Sequence, residues 1–242
     1  MASFLILGGD SRLGKCFKSL YPNECIPLSK KQCDITQAFL LDRIIKQTNC
    51  PYILNCAAIT DTEECEKNPA LCFAVNSFSV YALSKICLKY NKKLIHISSN
   101  AAVRPINMYG WSKFLSEKMT KPSGLVIRTD FYDEKTYIVK NLMAQNAIVA
   151  YSNVYFNPIS INYLVHQIYI QKDRTGIINI FTNEKISFYE FAGKFCDIFS
   201  LDKSRLVKDH TPRPLNLFVK STIKRGIARD LIDFKKFMNS KK

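Results

Sequence analysis

The chain has 242 residues, 47% of them hydrophobic, and a formal net charge of +15. That is enough apolar chain for a full core in one domain, or one domain with a small appendage, and no apolar run approaches the ~20 residues that cross a bilayer. The positive charge asks for anionic partners, yet no helix-turn-helix, zinc-finger or RNP-like pattern accompanies it; with no basic flank or cleavage site at the N-terminus, the expectation is a soluble cytoplasmic protein without nucleic-acid or membrane partners.

The first element is a strand over 3–7, followed by a glycine turn and a helix over 12–20. Gly8, Ser11 and Gly14 have the spacing of G-x-x-G-x-x-G with its middle glycine replaced. Glycine is needed where a backbone turns tightly against a pyrophosphate whose charge rests on the helix N-terminus. An ordinary strand-to-helix turn is the alternative at this point. A second strand over 24–28 runs into Ser29-Lys30-Lys31. An acid there would hold ribose hydroxyls and favour NADH; two ammonium groups and a hydroxyl instead suit a 2′-phosphate, so NADPH is predicted, with NADH left open. The competing view makes both lysines solvated loop charges.

A helix over 36–48, a strand over 51–55, a helix over 69–90, a strand over 93–98, a helix over 107–120 and a strand over 124–128 continue the alternation. That order predicts an α/β fold: a Rossmann-type doubly wound parallel sheet with a small C-terminal substrate-binding subdomain. After Arg128 the pattern shortens, with helices near 134–144, 160–171 and 187–199 and a strand near 176–181. The predicted division is a dinucleotide-binding core over 1–130 and a smaller substrate-binding region over 131–242, interleaved with the core.

Tyr109 and Lys113 stand at i and i+4, on one face of the 107–120 helix. A phenol hands a proton to a carbonyl oxygen only if its conjugate base is stabilised, and a nearby ammonium does this. The spacing arises by chance about once in a chain this rich in lysine, and Tyr81 with Lys85 is a second match. Order separates the two: Tyr109 follows a strand ending in Ser98-Ser99, whereas Tyr81 lies inside the helix before it. Ser99 then positions the carbonyl that Tyr109 protonates; its alternative role is a turn or capping serine.

Nine cysteines without a C-x-x-C pair predict scattered reduced core thiols and no metal site. His96, inside an apolar strand, is expected to be a packed core histidine. The stretch 213–242 holds nine Lys/Arg against Asp230 and Asp233, which predicts a largely solvated basic face.

With these residues in place, the chain resembles the extended short-chain dehydrogenase/reductases, and within them the dTDP-4-dehydrorhamnose reductase group, over nearly its whole length. The stretches "LGGDSRLG", "ILNCAAITDTEECEKNP", "ISSNAAV" and "MYGWSK" carry the resemblance, with weaker support from "IRTDFY" and "TPRPLN". The resemblance implies Gly8, Ser11, Arg12 and Leu13 at the pyrophosphate, Asp34 and Ile35 at the adenine, and Ala57, Ala58 and Ile59 along the cofactor groove. It makes Ser99, Tyr109 and Lys113 the catalytic residues, with Lys113 also on the ribose, and puts Asn100, Phe131 and Arg213 on the substrate side. Three departures fall there: Ser99-Asn100-Ala101 replaces Thr-Asp-Tyr, the loop 102–108 is a dozen or so residues short of the family pattern, and Phe131 replaces a tryptophan. The implied function is NAD(P)H-dependent reduction of a nucleotide-activated 4-keto-deoxy sugar for surface glycan precursors, with a homodimer left open. Two alternatives remain: a non-catalytic NADP(H)-binding subunit like the methionine adenosyltransferase beta subunit, and a reductase or epimerase of another small carbonyl.

Overall fold

The computed structural model describes residues 2–120, 123–212 and 215–241. Two units make up the chain, residues 1–128 with 165–178, and residues 129–164 with 179–242.

In the first unit, β1 (Phe4–Leu7) leads into α1 (Arg12–Leu20), then β2 (Cys25–Leu28), α2 (Ala38–Gln47) and β3 (Tyr52–Asn55). A short α3 (Thr62–Lys67) follows, then α4 (Pro69–Phe73), a π-turn over Ala74–Phe78, and α5 (Ser79–Lys89). Next come β4 (Lys93–Ser99), a single 3-10 turn over Asn100–Ala102, α6 (Met108–Met119) and β5 (Leu125–Thr129). The second unit contributes β6 (Phe131–Tyr132), α7 (Tyr137–Met143), β7 (Ile148–Tyr151), β8 (Val154–Phe156) and β9 (Ile159–Ser160). The chain continues through α8 (Ile161–Gln171), β10 (Gly176–Ile180), β11 (Ile186–Ser187), α9 (Phe188–Phe199), β12 (Leu206–Asp209), β13 (Leu215–Asn216) and α10 (Ile227–Asn239).

The main sheet runs β10-β5-β4-β3-β1-β2, and β1 pairs in parallel with β2 and β3, as β3 does with β4. Strand order therefore reverses at β1/β3, the switch point at which doubly wound sheets bind ligands beyond their carboxyl ends. Helices start where side chains take up the free amides: Asp61 accepts from the Glu63 and Glu64 amides of α3, and Asn107 from the Gly110 amide of α6. Leu5, Leu7, Leu41, Ile45, Ile53, Leu83 and Leu94 fill one core between sheet and helices.

The segment 69–89 is one continuous helix, long and apolar enough to cross a bilayer by length and composition. This corrects the expectation that no such run exists. In the fold it is a wall of the first unit, with Cys72, Asn76, Ser77, Val80 and Leu83 buried.

The second unit has its own core around Tyr132, Phe191, Phe195, Leu231 and Phe234, with Tyr132 edge-on to both Phe191 and Phe234. Beside it the buried Asp230 carboxylate accepts from the Tyr132 hydroxyl, the Ser160 amide and hydroxyl, and Arg225 Nε. Arg225 also pairs with Asp233. The basic C-terminal stretch is thus only partly solvated: α10 turns Ile227, Leu231 and Phe234 inward, and Arg225 is a nearly buried ion-pair partner. Residue counting missed this because α10 is amphipathic at helical period, and its charges hide the apolar stripe.

Candidate active site

The turn after β1 is sterically demanding. Gly8 has φ +74°, and a Cβ on it would stand 2.7 Å from the Ala57 amide nitrogen. A Cβ on Gly14 would stand 2.6 Å from the Gly8 carbonyl oxygen. Only glycine lets the β1 and β3 turns and the start of α1 approach this closely. Ser11, at the position of the replaced glycine, caps α1: its hydroxyl accepts from the Gly14 amide at 3.1 Å.

Beyond these turns lies a cleft of about 270 Å³ lined by Gly8, Ser11, Lys30, Asp34, Ile35 and the Cys56–Ile59 stretch, together with Asp10, Cys33 and Val75. It shares Asp10, Lys30 and Asp34 with a more open recess that adds Lys31, Gln37 and Leu40. Of the residues assigned to the cofactor, Gly8, Ser11, Lys30, Asp34, Ile35, Ala57, Ala58 and Ile59 therefore converge. Arg12, Leu13 and Ser29 do not line the cleft, nor do Tyr109 and Lys113, which were also assigned to the cofactor. The Leu13 side chain is buried in the core, Arg12 is exposed at the start of α1, and the Ser29 hydroxyl donates to Gln32 Oε1 at 2.9 Å. Asp34 accepts from the Thr36 amide and hydroxyl, which hold its carboxyl below the usual range.

Ser99 ends β4, and Tyr109 and Lys113 sit on α6, in the same unit as the cleft. The Ser99 hydroxyl donates to Asn100 Oδ1 at 3.0 Å and accepts from the Ala101 amide at 3.2 Å, so it caps its own turn. Tyr109 is half-buried in the first turn of α6. Lys113 is 2% exposed, and its Nζ donates to the Ile97 carbonyl of β4 at 2.7 Å. Burial pushes this ammonium down to about 8, opposed by Glu117, Cys56 and Cys72. Tyr81 of the second Tyr/Lys match is exposed on α5, with Lys85 over its own ring. Phe131 lies half-buried in β6 of the second unit, and Arg213 falls outside the described residues.

Two buried networks, absent from the sequence reading, hold these groups. Asn55 Oδ1 accepts from the Ala57 amide while its Nδ2 donates to His96 Nδ1, and His96 Nε2 donates to Ser116 Oγ, which donates to the Lys113 carbonyl. That relay joins the cleft wall to α6. His96 is the packed core histidine its strand context predicts, kept neutral by burial and by the nearby Lys113 charge. In the second network Asn76, at the centre of the π-turn, accepts from the Ile59 amide and donates to the Ile59 carbonyl and to Ser112 Oγ. A π-turn is the structural signal for such a residue, but it carries no sequence pattern that periodicity detects. Nearby, the buried Glu117 carboxylate takes two bonds from Arg128 and one from the Ser98 hydroxyl.

The family model of the RmlD substrate binding domain matches residues 2–148. A dTDP-4-dehydrorhamnose reductase of Mycolicibacterium smegmatis is 30% identical over 122 residues, 43% of this chain and 37% of that protein. The chain thus spans little more than a third of the length of this curated relative. Among solved structures, a dTDP-4-dehydrorhamnose reductase from Bacillus anthracis in complex with NADP superposes with a TM-score of 0.87, at 20% identity, over 98% of this chain and 99% of that one. A hypothetical dTDP-4-dehydrorhamnose reductase from Sulfolobus tokodaii gives 0.80 at 25% identity, over 92% and 93%.

Proposed function

This chain belongs to the RmlD substrate binding domain family, and on that premise we propose that it is an NADPH-dependent reductase of a nucleotide-activated 4-keto-deoxy sugar that feeds surface glycan precursors. The observation that carries the reading is the glycine-built cleft at the β1/β3 switch point, in one unit with Ser99, Tyr109 and Lys113.

The cleft fits a dinucleotide. Its closest backbone approaches exclude any Cβ at Gly8 and Gly14, and the helix dipole of α1, which starts beside Ser11, favours negative charge of the kind phosphates carry. Lys30 and Lys31 supply positive charge in the adjoining recess. When bound, NADPH supplies the hydride. Tyr109 provides the proton for the developing alkoxide, and the Lys113 ammonium, fixed on the Ile97 carbonyl, lowers the cost of the phenolate. Ser99 orients the carbonyl oxygen once its hydroxyl turns from Asn100 Oδ1.

The test follows NADPH absorbance with a panel of dTDP-, UDP- and GDP-linked 4-keto-6-deoxy sugars. Turnover of one of them is expected. A second reading, a dinucleotide-binding subunit without turnover, draws on the engagement of the Ser99 hydroxyl within its own turn. Tight NADPH binding with no sugar reduced would favour it.

A further inference from the structure

Cys65 is the buried residue of α3, and Cys72 that of α4. Both are fully buried, and their sulfurs lie 2.9 Å apart, the Cys72 thiol donating to Cys65. Each sulfur also touches a group that shapes the candidate site. The Cys65 thiol points at the Ile59 carbonyl at 3.8 Å, and Ile59 lines the cleft. Cys72 Sγ accepts from Asn76 Nδ2 at 3.5 Å, the amide that grips Ile59 and Ser112. Next to Cys65, Glu66 accepts from the Met108 amide at 2.8 Å, one residue before Tyr109. Among the described residues no group of three or more His, Cys, Asp or Glu is placed to hold a metal, so the pair is not part of a metal-ligand cluster.

We propose that Cys65 and Cys72 are a covalent modification site: a dithiol that closes reversibly to an intrachain disulfide and so reports oxidation to the dinucleotide cleft. The oxidant is a small peroxide. Cys65, as a thiolate, attacks one peroxide oxygen and the O–O bond breaks, giving a sulfenic acid and, after proton transfer, water. Cys72 sulfur then displaces the sulfenic hydroxyl, which leaves as a second water. Two thiols and one hydrogen peroxide give one disulfide and two waters, each sulfur losing one electron and the peroxide gaining two.

Burial sets the rate of this chemistry. It pushes the Cys65 thiol up to about 12, with Cys72, Asp61 and Glu64 adding to the effect, so the closed fold keeps the pair reduced. The helix α3 has six residues and only Cys65 inside, which makes it a segment that opens locally at low cost. Opening exposes the thiol, and reclosure delivers it to its partner. The bond then removes the thiol donor from the Ile59 carbonyl and changes the sulfur that Asn76 reaches. It also pulls α3, with Glu66, toward α4. The disulfide stands independently of the reductase reading; only its effect on NADPH rests on that reading.

The experiment treats the full chain with hydrogen peroxide, blocks remaining thiols with an alkylating agent, and maps peptides by mass spectrometry before and after dithiothreitol. A Cys65–Cys72 linked peptide, lighter by two hydrogens and lost on reduction, is expected as the first cross-link to accumulate. NADPH affinity, titrated by calorimetry on both forms, is expected to fall about three-fold or more on oxidation, the scale of losing one weak hydrogen bond. Cys65→Ala and Cys72→Ala should each abolish both responses. If Cys65 and Cys72 stay fully alkylatable while other cysteines oxidise, the proposal is overturned on wild-type protein, whatever the variants do. A disulfide that leaves NADPH affinity unchanged overturns the link to the cleft. Failure of the reduced protein to bind any dinucleotide removes the reductase reading and leaves the disulfide to be judged by mapping.

Discussion

The cleft at the β1/β3 switch point and the turn that leads from β4 to Tyr109 lie in the same unit but are built differently. The cleft is clamped: glycines at steric contact, Asn76 on both sides of Ile59, and a buried relay from Ala57 through Asn55, His96 and Ser116 to Lys113. The turn is short and open, with Val103 39%, Ile106 69% and Met108 36% exposed. Buried, mutually satisfied groups leave little room for substitution, whereas an exposed turn accepts change without unfolding the core. Of the departures that the family resemblance implies, the loop 102–108 falls in the second kind of structure apart from the buried Ala102, whereas Ser99 is buried and Asn100 and Ala101 are half-buried.

Changes at the edge of the two regions should have the largest effects. Tyr109→Phe keeps the ring and removes the hydroxyl; turnover in the NADPH absorbance assay is expected to fall ~10²- to 10⁴-fold with NADPH affinity unchanged. Tyr81→Phe, exposed on α5, should change neither. Wild-type turnover in the Tyr109 variant would remove its assigned role. Within the clamp, Gly8→Ala puts a methyl against the Ala57 amide at positive φ, and dinucleotide affinity measured by calorimetry should drop ~10-fold or more, with roughly 1–3 kcal/mol lost in denaturant titrations. A tolerated alanine would mean the turns are looser than described.

Lys113 tests the clamp from the opposite direction, because its charge is useful to function and costly to the fold. Its protonated form is needed beside Tyr109, so turnover should decline as pH rises through about 8. Glu117→Gln, which removes an opposing negative charge, should move that decline to lower pH. The folded-state pKa lies below the unfolded value of 10.5, so the stability penalty is fully present below about pH 8 and fades as pH climbs toward 10.5. Lys113→Met should then lose turnover while raising Tm by roughly 3–6 °C at neutral pH, although it leaves the Ile97 carbonyl without its donor. The gain should vanish above about pH 10.5; a variant less stable at pH 7 would show that the carbonyl bond outweighs desolvation.

Smaller effects sharpen the picture of the cleft. Replacing Lys30 and Lys31 together by alanine should weaken NADPH roughly ten-fold more than NADH, since only the former loses charge-assisted contacts. Equal weakening in paired titrations would make both lysines solvated loop charges. Ser11→Gly should cost only a few tenths of a kcal/mol, because glycine is itself an acceptable helix cap, and should leave dinucleotide affinity where it is. A marked loss of affinity would make the Ser11 hydroxyl a phosphate ligand, in competition with its bond to the Gly14 amide.

Residue pattern alone specifies the alternation of strands and helices through β5, the glycine spacing at Gly8 and Gly14, and the placing of Tyr109 and Lys113 one turn apart. These depend on period and spacing, which are local and survive in a linear string. The short α3, the π-turn and α10 escaped because the first is too brief for periodicity, the second breaks it, and the third carries a charge density that masks its apolar face. Tertiary structure alone decided that Ser11 caps a helix, that Ser99 caps its own turn, and that His96 belongs to a relay. It also decided that Lys113 is buried enough to titrate near 8, and that Cys65 meets Cys72. Desolvation and convergence are sums over neighbours brought from distant parts of the chain, and those neighbours are fixed only when the sheet assembles and the helices pack against it.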